Sequence, residues 1–170
     1  MISAIVCIDK NWGIGYEGKL LAYIPEDMRF FKHMTSNSVV IMGRKTYDSL
    51  SLKPLPNRIN VVVTSKISKD YEIDDKGTVF ASMDFVKMHL STIHPLMPMD
   101  YLIIGGEQIY RELLPYCDNA YVTKVDYAYK DVDTYFPNLD KSEEWEMAKD
   151  GEEKIYDGMK YKFCIYVKEV

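Results

Sequence analysis

Five short apolar segments constrain the fold of this chain more than any other feature. They are ISAIVCI (2–8), SVVIMG (38–43), INVVVT (59–64), YLIIGG (101–106) and NAYVTKVD (119–126). Strands that are apolar along their whole length are typical of a parallel sheet covered on both faces. Because parallel strands need crossover connections, the segments between them are expected to be helical. The sequence therefore predicts an α/β fold with a mainly parallel sheet and helices on both faces.

The segments between the strands carry helical patterns. Helices are predicted over 25–35, directly after Gly43, over about 83–92 and over 107–114. The first begins with Pro25, and proline is favoured in the first turn of a helix. The length of 170 residues is close to that of one ordinary domain, so we expect a single domain over 1–170.

The C-terminal segment differs from the other strands. KYKFCIYVK (160–168) alternates apolar and polar residues, the pattern of a half-buried strand. Asp157-Gly158, just before it, is a hairpin signal. We therefore predict that the sheet ends with an antiparallel strand, and that 144–149 is its partner.

The composition disfavours several classes of protein. Hydrophobic residues make up 47% and charged residues 28%, with a net charge of −5, whereas a nucleic-acid-binding protein needs a basic face. No apolar run approaches the roughly 20 residues that span a membrane, and the first residues lack the features of a signal peptide. The three cysteines and three histidines show no metal-ligand spacing, and an odd number of cysteines disfavours a disulfide framework. We expect a cytoplasmic protein with reduced thiols, no metal, and no membrane or nucleic-acid partner.

The predicted helix over 25–35 carries a carboxylate on its apolar side. Counted from Ile24 at about 100° per residue, Asp27 falls at roughly 300°, inside the apolar arc. Its neighbour Glu26 falls on the opposite, polar arc. An acid in the first turn can simply be favoured by the helix dipole, but on an apolar face it is desolvated unless a ligand compensates it. Asp27 is therefore a candidate functional carboxylate, with Thr123 as a possible polar partner.

Three further features suit the binding of anions. Gly105-Gly106 lies between a strand and a helix, where its backbone could approach a phosphate or form only a tight turn. Two strands are each followed by a cluster of basic and hydroxyl residues. If the two clusters lie side by side, they would form a phosphate pocket, whereas either cluster alone would simply be solvated. These residues are Arg44, Lys45, Thr46, Thr64, Ser65 and Lys66. Arg58 follows a proline-stiffened loop and could bind a carboxylate in bidentate fashion, although surface arginines are common.

In their order along the chain, these segments resemble the dihydrofolate reductase family. The resemblance rests on MISAIVCIDKNWGIG, IPEDMRFFK, VIMGRKTYDSL, LPNRINVVVTS, YLIIGGEQIY and DTYFP, and it covers essentially the whole chain. It implies an eight-stranded, mainly parallel sheet with an antiparallel C-terminal strand, and an adenosine-binding subdomain over roughly 38–99. It also implies an oxidoreductase that transfers a hydride from NADPH to C6 of 7,8-dihydrofolate, with protonation at N5. The product is tetrahydrofolate for one-carbon metabolism. Members are commonly monomeric, so we expect a monomer that binds dihydrofolate and antifolate inhibitors.

The same resemblance implies roles for individual residues. Asp27 matches the active-site carboxylate, which binds the 2-amino group and N3 of the pterin. The implied substrate site comprises Ile5, Cys7, Ala22, Asp27, Met28, Phe31, Ser49, Leu50, Leu55, Arg58, Ile104, Tyr110 and Thr123. The implied NADPH site comprises Cys7, Ile14, Gly15, Leu20, Gly43, Arg44, Lys45, Thr46, Thr64, Ser65, Lys66, Ile104, Gly105, Gly106, Glu107, Gln108, Ile109 and Tyr110. Thr123 matches the threonine that supports the pterin contact, and Arg58 matches the arginine that binds the substrate's glutamate. The Gly105–Gly106 peptide is expected to be cis, and Gly15 and Asp133 match two loops that touch when the site closes.

One position departs from the family pattern. The family has a Leu/Met-Pro-Trp run before the first helix, whereas this chain has Leu20, Leu21 and Ala22. The missing indole leaves a gap that water, or an inward-turned Tyr23, could fill. The enzyme would then be either active with reshaped substrate and antifolate binding, or a slow or specialised relative.

Two other interpretations stay open at this point. One is a pyrimidine reductase of riboflavin synthesis, which shares the fold and NADPH. Asp27 beside Phe31, together with Arg58, favours folate over that substrate. The other is a nucleotide-binding module that keeps the cofactor pocket and has lost turnover through Ala22.

Overall fold

The computed structural model describes residues 1–170 and contains thirteen strands and four α-helices. The strands are β1 (Ile2–Ile8), β2 (Gly13–Tyr16), β3 (Lys19–Leu20), β4 (Val39–Gly43), β5 (Ile59–Val63), β6 (Tyr71–Ile73), β7 (Val79–Ala81), β8 (Tyr101–Gly105), β9 (Asn119–Val125), β10 (Thr134–Tyr135), β11 (Trp145–Asp150), β12 (Lys154–Tyr156) and β13 (Met159–Lys168). The α-helices are α1 (Pro25–Thr35), α2 (Arg44–Ser49), α3 (Met83–Met88) and α4 (Glu107–Leu113). A π-helical segment spans His89–Ile93, and 3₁₀ turns span His94–Leu96, Leu114–Tyr116 and Leu139–Lys141. None of the helices has the length and apolar character needed to cross a membrane.

Ten strands form one sheet in the order β11-β13-β9-β1-β8-β4-β5-β7-β6, with β12 paired to β13 beside this row. The strands from β9 to β7 are parallel, whereas β6, β11, β12 and β13 pair antiparallel with their neighbours. The predicted fold class, mainly parallel with an antiparallel C-terminal strand, is confirmed. The sheet has ten strands where the resemblance implied eight, because the three-residue hairpin arms β6 and β12 extend its margins. A second, small antiparallel sheet contains β10, β2 and β3.

The main sheet separates two apolar clusters. Neighbouring residues of β1 point to opposite sides, so Val6 belongs to the larger cluster and Ile5 to the smaller one. The larger cluster has 26 buried residues and includes side chains from α3 and α4. The smaller cluster has six buried residues and packs against α1 and α2. Helices therefore cover both faces, as predicted, but the face under α1 is less completely buried.

The structure corrects two predicted elements, while α1 has its predicted bounds. The helix predicted over about 83–92 keeps α-helical geometry only to Met88, where π-helical geometry replaces it. The predicted pairing of 144–149 with the C-terminal strand is confirmed, because β11 pairs antiparallel with β13. The strand directly across the Asp157-Gly158 turn, however, is β12 and not 144–149. Both turn residues have positive φ, 50° and 75°, as in a two-residue hairpin, so the paired strand must come immediately before the turn. β11 pairs instead with the far half of β13, with Trp145 opposite Lys168.

Candidate active site

Asp27 lies near the carboxyl ends of β1 and β9. Cys7 and Thr123 are paired in register on these strands, so their side chains share one face of the sheet. Thr123 Oγ1 donates a hydrogen bond of 2.6 Å to Asp27 Oδ1, and Cys7 lines the same cavity as Asp27. Burial and the Asp27 carboxylate both raise the pKa of the Cys7 thiol, which is one of three free thiols in the chain. Other predicted site residues that line this cavity are Ile14, Leu20 and Ala22.

The carboxylate of Asp27 is desolvated but not paired with a cation. Burial raises the pKa of Asp27, and the hydrogen bond from Thr123 opposes this effect. Asp27 forms no salt bridge. The adjacent Glu26 accepts hydrogen bonds from Lys154 Nζ at 2.6 Å and Tyr161 OH at 2.7 Å, which lower its pKa. The predicted difference between the two acids is confirmed, and only Asp27 is left to a ligand that donates hydrogen bonds.

An apolar wall extends from this cavity along the face under α1 and α2. Ile5 is buried in the smaller apolar cluster. The predicted site residues that lie half buried against it are Phe31, Leu50, Leu55 and Ile104. Met28 is 38% exposed, and Ser49 is exposed and donates its hydroxyl to Thr46 O at 2.7 Å. Partly open apolar side chains beside one carboxylate suit a flat ring with polar groups at one end.

Arg58 is held in place by two hydrogen bonds at the edge of this wall. Its Nε donates to Pro56 O and its Nη1 donates to Thr35 Oγ1, both at 2.9 Å. The other guanidinium N–H groups remain available to a carboxylate. Asn60, which is 2% exposed, holds the loop because its amide pairs with Leu55 N, Leu55 O and Arg58 O. The sequence carried no signal for Asn60, because its role depends on which way its side chain points within β5.

The basic and hydroxyl residues that follow β4 and β5 lie at neighbouring strand ends. Gly43 is paired in register with Val63, so the residues after these strands lie on one edge of the sheet. They are Arg44, Lys45 and Thr46 after β4, and Thr64, Ser65 and Lys66 after β5. The three basic side chains are exposed, and Thr64 is buried. Arg44 is also paired with Asp48, with Nε 3.2 Å from Oδ1.

The Gly105–Gly106 peptide is cis, as expected, and joins β8 to α4 next to this basic edge. Gly105 lies opposite Met42 of β4. The end of β4 and helix α4 approach each other closely here, since a Cβ added to Gly43 would lie 3.0 Å from Ile109 Cγ1. Ile109 is therefore buried against β4, while Gln108 is exposed. Gly105 is buried, with the Tyr110 ring beside it, whereas Gly106 is half buried and carries no side chain, which suits backbone contact with an anionic ligand.

Tyr110 and Glu107 stabilise the turn from within the protein. Tyr110 is 4% exposed, and its hydroxyl donates to Ile5 O at 2.7 Å. Glu107, which the resemblance assigns to the NADPH site, is half buried and accepts from Tyr135 N at 2.8 Å. The Tyr110 hydroxyl is thus bonded to the backbone of β1. A contact between Tyr110 and substrate or cofactor stays a prediction.

The two loops predicted to touch are in contact. Asp133 N donates to Gly15 O at 3.0 Å, and Glu17 N donates to Asp133 Oδ2 at 2.9 Å. The approach requires glycine at 15, because a Cβ there would lie 2.8 Å from Thr134 Oγ1. This contact holds β2, and with it the paired strand β3 that carries Leu20, beside the cavity.

Five residues that line the cavity are absent from the predicted site, namely Ile8, Asp9, Leu21, Val125 and Tyr129. Asp9 and Tyr129 are the two of them with polar side chains. Asp9 is 3% exposed, and its carboxylate accepts from Asn11 N at 2.9 Å, Gly13 N at 2.8 Å and Tyr129 N at 3.1 Å. An aspartate directly after a strand, with glycine four residues on, is typical of a turn that the side chain caps, and this signal could have identified Asp9. Tyr129 carried no such signal, because a hydrogen bond across 120 residues fixes its position.

Comparison with known proteins covers the whole chain. The family profile described as "Dihydrofolate reductase" matches residues 1–168. The chain is 36% identical to a dihydrofolate reductase of Bacillus subtilis (strain 168), in an alignment covering 99% of this chain and 95% of that protein. A dihydrofolate reductase of Buchnera aphidicola subsp. Acyrthosiphon pisum is 39% identical, over 80% of this chain and 78% of that protein. A dihydrofolate reductase of Staphylococcus aureus is 30% identical, over 91% and 88% respectively.

Proposed function

The chain belongs to the dihydrofolate reductase family, and on this premise we propose that it reduces 7,8-dihydrofolate to 5,6,7,8-tetrahydrofolate. The reaction transfers a hydride from NADPH to C6 of the pterin and adds a proton at N5. The observation that supports this most directly is Asp27, a desolvated carboxylate held by Thr123 in an apolar cavity. Such a group favours a ligand that brings hydrogen-bond donors or positive charge.

Asp27 orients the pterin by accepting from its 2-amino group and N3. The Thr123 hydroxyl fixes one carboxylate oxygen for this task. Because burial raises the pKa of Asp27, the site holds a proton near the ring more readily than an exposed aspartate would. Asp27 need not touch N5, so the proton reaches N5 through water. The apolar wall of Phe31, Leu50 and Ile104 excludes other water and aligns the rings.

Arg58 binds the glutamate carboxylate at the other end of the substrate. Its guanidinium is oriented in advance by Pro56 O and Thr35 Oγ1, so little side-chain entropy is lost on binding. Substrate is therefore held at two charged ends, Asp27 and Arg58, with apolar contacts between them.

The residues of the cofactor side fit a dinucleotide phosphate. Gly43 packs closely on Ile109, which brings the end of β4 against α4, and Gly106 beside it has no side chain, so the backbone there could approach a phosphate. Arg44, Lys45, Thr64 and Ser65 suit a phosphate monoester, which favours the 2′-phosphate of NADPH over NADH. NADPH, when bound, supplies the hydride.

The same site also receives antifolate inhibitors, because a diaminopyrimidine head presents donors to Asp27 as the pterin does. We place the adenosine-binding subdomain at roughly 38–99, within one domain over 1–170, and take the active form to be a monomer. Ala22 reshapes substrate and antifolate binding without removing activity, since Asp27 and its partners are in place around it.

The test is the loss of NADPH absorbance on addition of dihydrofolate, measured for the wild type, Asp27→Asn and Glu26→Gln. Asp27→Asn should lower kcat/KM by about two orders of magnitude or more. Glu26→Gln is the matched control, since Glu26 is the adjacent acid and is bonded to Lys154 and Tyr161, and it should keep near-wild-type turnover.

Two outcomes would contradict the proposal. Tight NADPH binding without dihydrofolate-dependent oxidation would identify a nucleotide-binding module. Oxidation with a riboflavin-pathway aminopyrimidine in place of dihydrofolate would identify a pyrimidine reductase.

A further inference from the structure

The space beside Asp27 that the family fills with tryptophan is bordered here by Ala22. Ala22 is half buried and lines the cavity that contains Asp27. Tyr23 does not close this space, because its side chain is 70% exposed, and the other residues of this segment that border the cavity are Leu20 and Leu21. The inward turn of Tyr23 considered from the sequence is therefore not the arrangement in this structure.

Tyr129 is the one aromatic residue among those that line this cavity. It is half buried, and its hydroxyl donates to Met159 Sδ at 3.5 Å. Met159 and Ala22 both pack against the cluster formed by Ile24, Val125 and Tyr161. Tyr129 and Ala22 thus share the cavity and are linked through one small apolar cluster.

The position of Tyr129 is fixed from its backbone as well. Its N–H donates to Asp9 Oδ2 at 3.1 Å, and Asp9 Oδ1 accepts from Asn11 N and Gly13 N. The same buried carboxylate therefore ties Tyr129 to the turn that leads into β2, whose Ile14 also lines the cavity. A side chain held on both sides in this way presents a defined surface to a ligand.

We propose that Tyr129 is a specificity-determining residue, whose ring forms the aromatic wall that a planar heterocycle anchored at Asp27 meets in the space left by Ala22. This inference rests on the proposed function, because Asp27 must be the group that anchors the heterocycle. Contacts between aromatic rings favour particular ring orientations in addition to burying apolar surface. Ligand selection on this side of the pterin is thus set by Tyr129 together with Ala22.

The test is a double-mutant cycle on the full chain with 2,4-diaminopteridine as the probe. This probe has no glutamate tail, so its affinity is independent of Arg58. The dissociation constant is measured by calorimetry for the wild type, Tyr129→Leu, Tyr129→Phe, Ala22→Trp and the Ala22→Trp/Tyr129→Leu double variant. Tyr156→Leu is the matched control, because Tyr156 is 42% exposed on β12 and does not line the cavity.

We expect Tyr129→Leu to weaken binding about three- to tenfold, and Tyr129→Phe and Tyr156→Leu to stay within about twofold of the wild type. In the Ala22→Trp background, Tyr129→Leu should weaken binding of the probe by less than about twofold, because the indole then occupies the space beside Asp27. Unchanged affinity in Tyr129→Leu, or an equal loss in both backgrounds, would overturn the inference. Urea unfolding verifies that each variant is folded, and if Tyr129→Leu is not, Tyr129→Met provides the same comparison.

Dihydrofolate turnover measured on the same proteins separates this inference from the proposed function. If the double-mutant cycle shows the expected coupling but the protein does not reduce dihydrofolate, the proposed function is refuted and the aromatic wall is supported. An active enzyme with equal losses in both backgrounds would refute the wall alone.

Discussion

Asn60 offers the sharpest test of how the fold prepares the substrate site. The variant Asn60→Leu keeps the same number and branching of side-chain heavy atoms, although the leucine side chain is larger, and it removes every hydrogen bond of the side chain. In the wild type the Asn60 amide accepts from Leu55 N at 2.9 Å and donates to Leu55 O at 3.0 Å and Arg58 O at 3.2 Å. The substitution thus leaves three main-chain groups of the 55–58 loop without a protein partner.

The expected loss of stability follows from this count. A hydrogen bond of this type contributes about 1 kcal/mol net, so three of them give a loss of about 3 kcal/mol in the free energy of unfolding. With a urea m-value of about 2 kcal/mol/M, the unfolding midpoint should fall by about 1.5 M. Ile59→Val is the control, because Ile59 precedes Asn60 on β5 and is 44% exposed. It should change stability by less than about 0.5 kcal/mol.

Asn60→Leu should also affect substrate binding at one end only. The loop that it releases carries Arg58, whose partner in the substrate is the glutamate carboxylate under the proposed function. We expect KM for dihydrofolate to rise about tenfold, equivalent to about 1.4 kcal/mol. KM for a dihydropterin that lacks the glutamate tail should be unchanged. A loss of stability below about 1 kcal/mol, or an equal rise in KM for both substrates, would refute the reasoning.

Four further substitutions test the site itself. Asp27→Asn should raise the free energy of unfolding at neutral pH, because burial raises the pKa of Asp27 and the ionised form is costly in the folded state. Urea unfolding at a series of pH values should show this gain shrinking as the pH falls through the folded-state pKa, and vanishing below the unfolded value of about 3.9. Thr123→Val removes the 2.6 Å hydrogen bond that opposes this shift, so the pKa of Asp27 should rise and the acidic limb of the kcat/KM profile should move to higher pH. A limb that does not move would contradict this role of Thr123. Gly15→Ala places a Cβ 2.8 Å from Thr134 Oγ1 and should separate β2 from β10. A fluorescence titration should then show NADPH affinity reduced several-fold, and an unchanged affinity would argue against the loop contact. Ala22→Trp should change the affinity for a diaminopyrimidine inhibitor by a factor of several, on the order of 1 kcal/mol or more, and an unchanged inhibition constant would contradict this.

The sequence by itself determined the five apolar strands of the main sheet, the bounds of α1 and the side of α1 on which Asp27 lies. Apolar runs such as 39–43 and 59–63 are typical of strands in a parallel sheet covered on both faces, and the structure has strands at both. The helical period placed Asp27 and Glu26 on different faces of α1. The structure agrees, because Asp27 is hydrogen-bonded to Thr123 and Glu26 to Lys154. These features are local, because periodicity within about ten residues records which side of an element is apolar.

Only the tertiary structure decided which distant residues meet. Asp9 and Tyr129 are 120 residues apart, and no local pattern pairs them. The same holds for Asn60, whose amide could have pointed to either face of β5 until the neighbouring strands fixed its direction. Tyr23, which could have filled the space beside Ala22, points to solvent instead. Periodicity specifies the face that a residue occupies, whereas its partner on that face is set by chain topology and close packing.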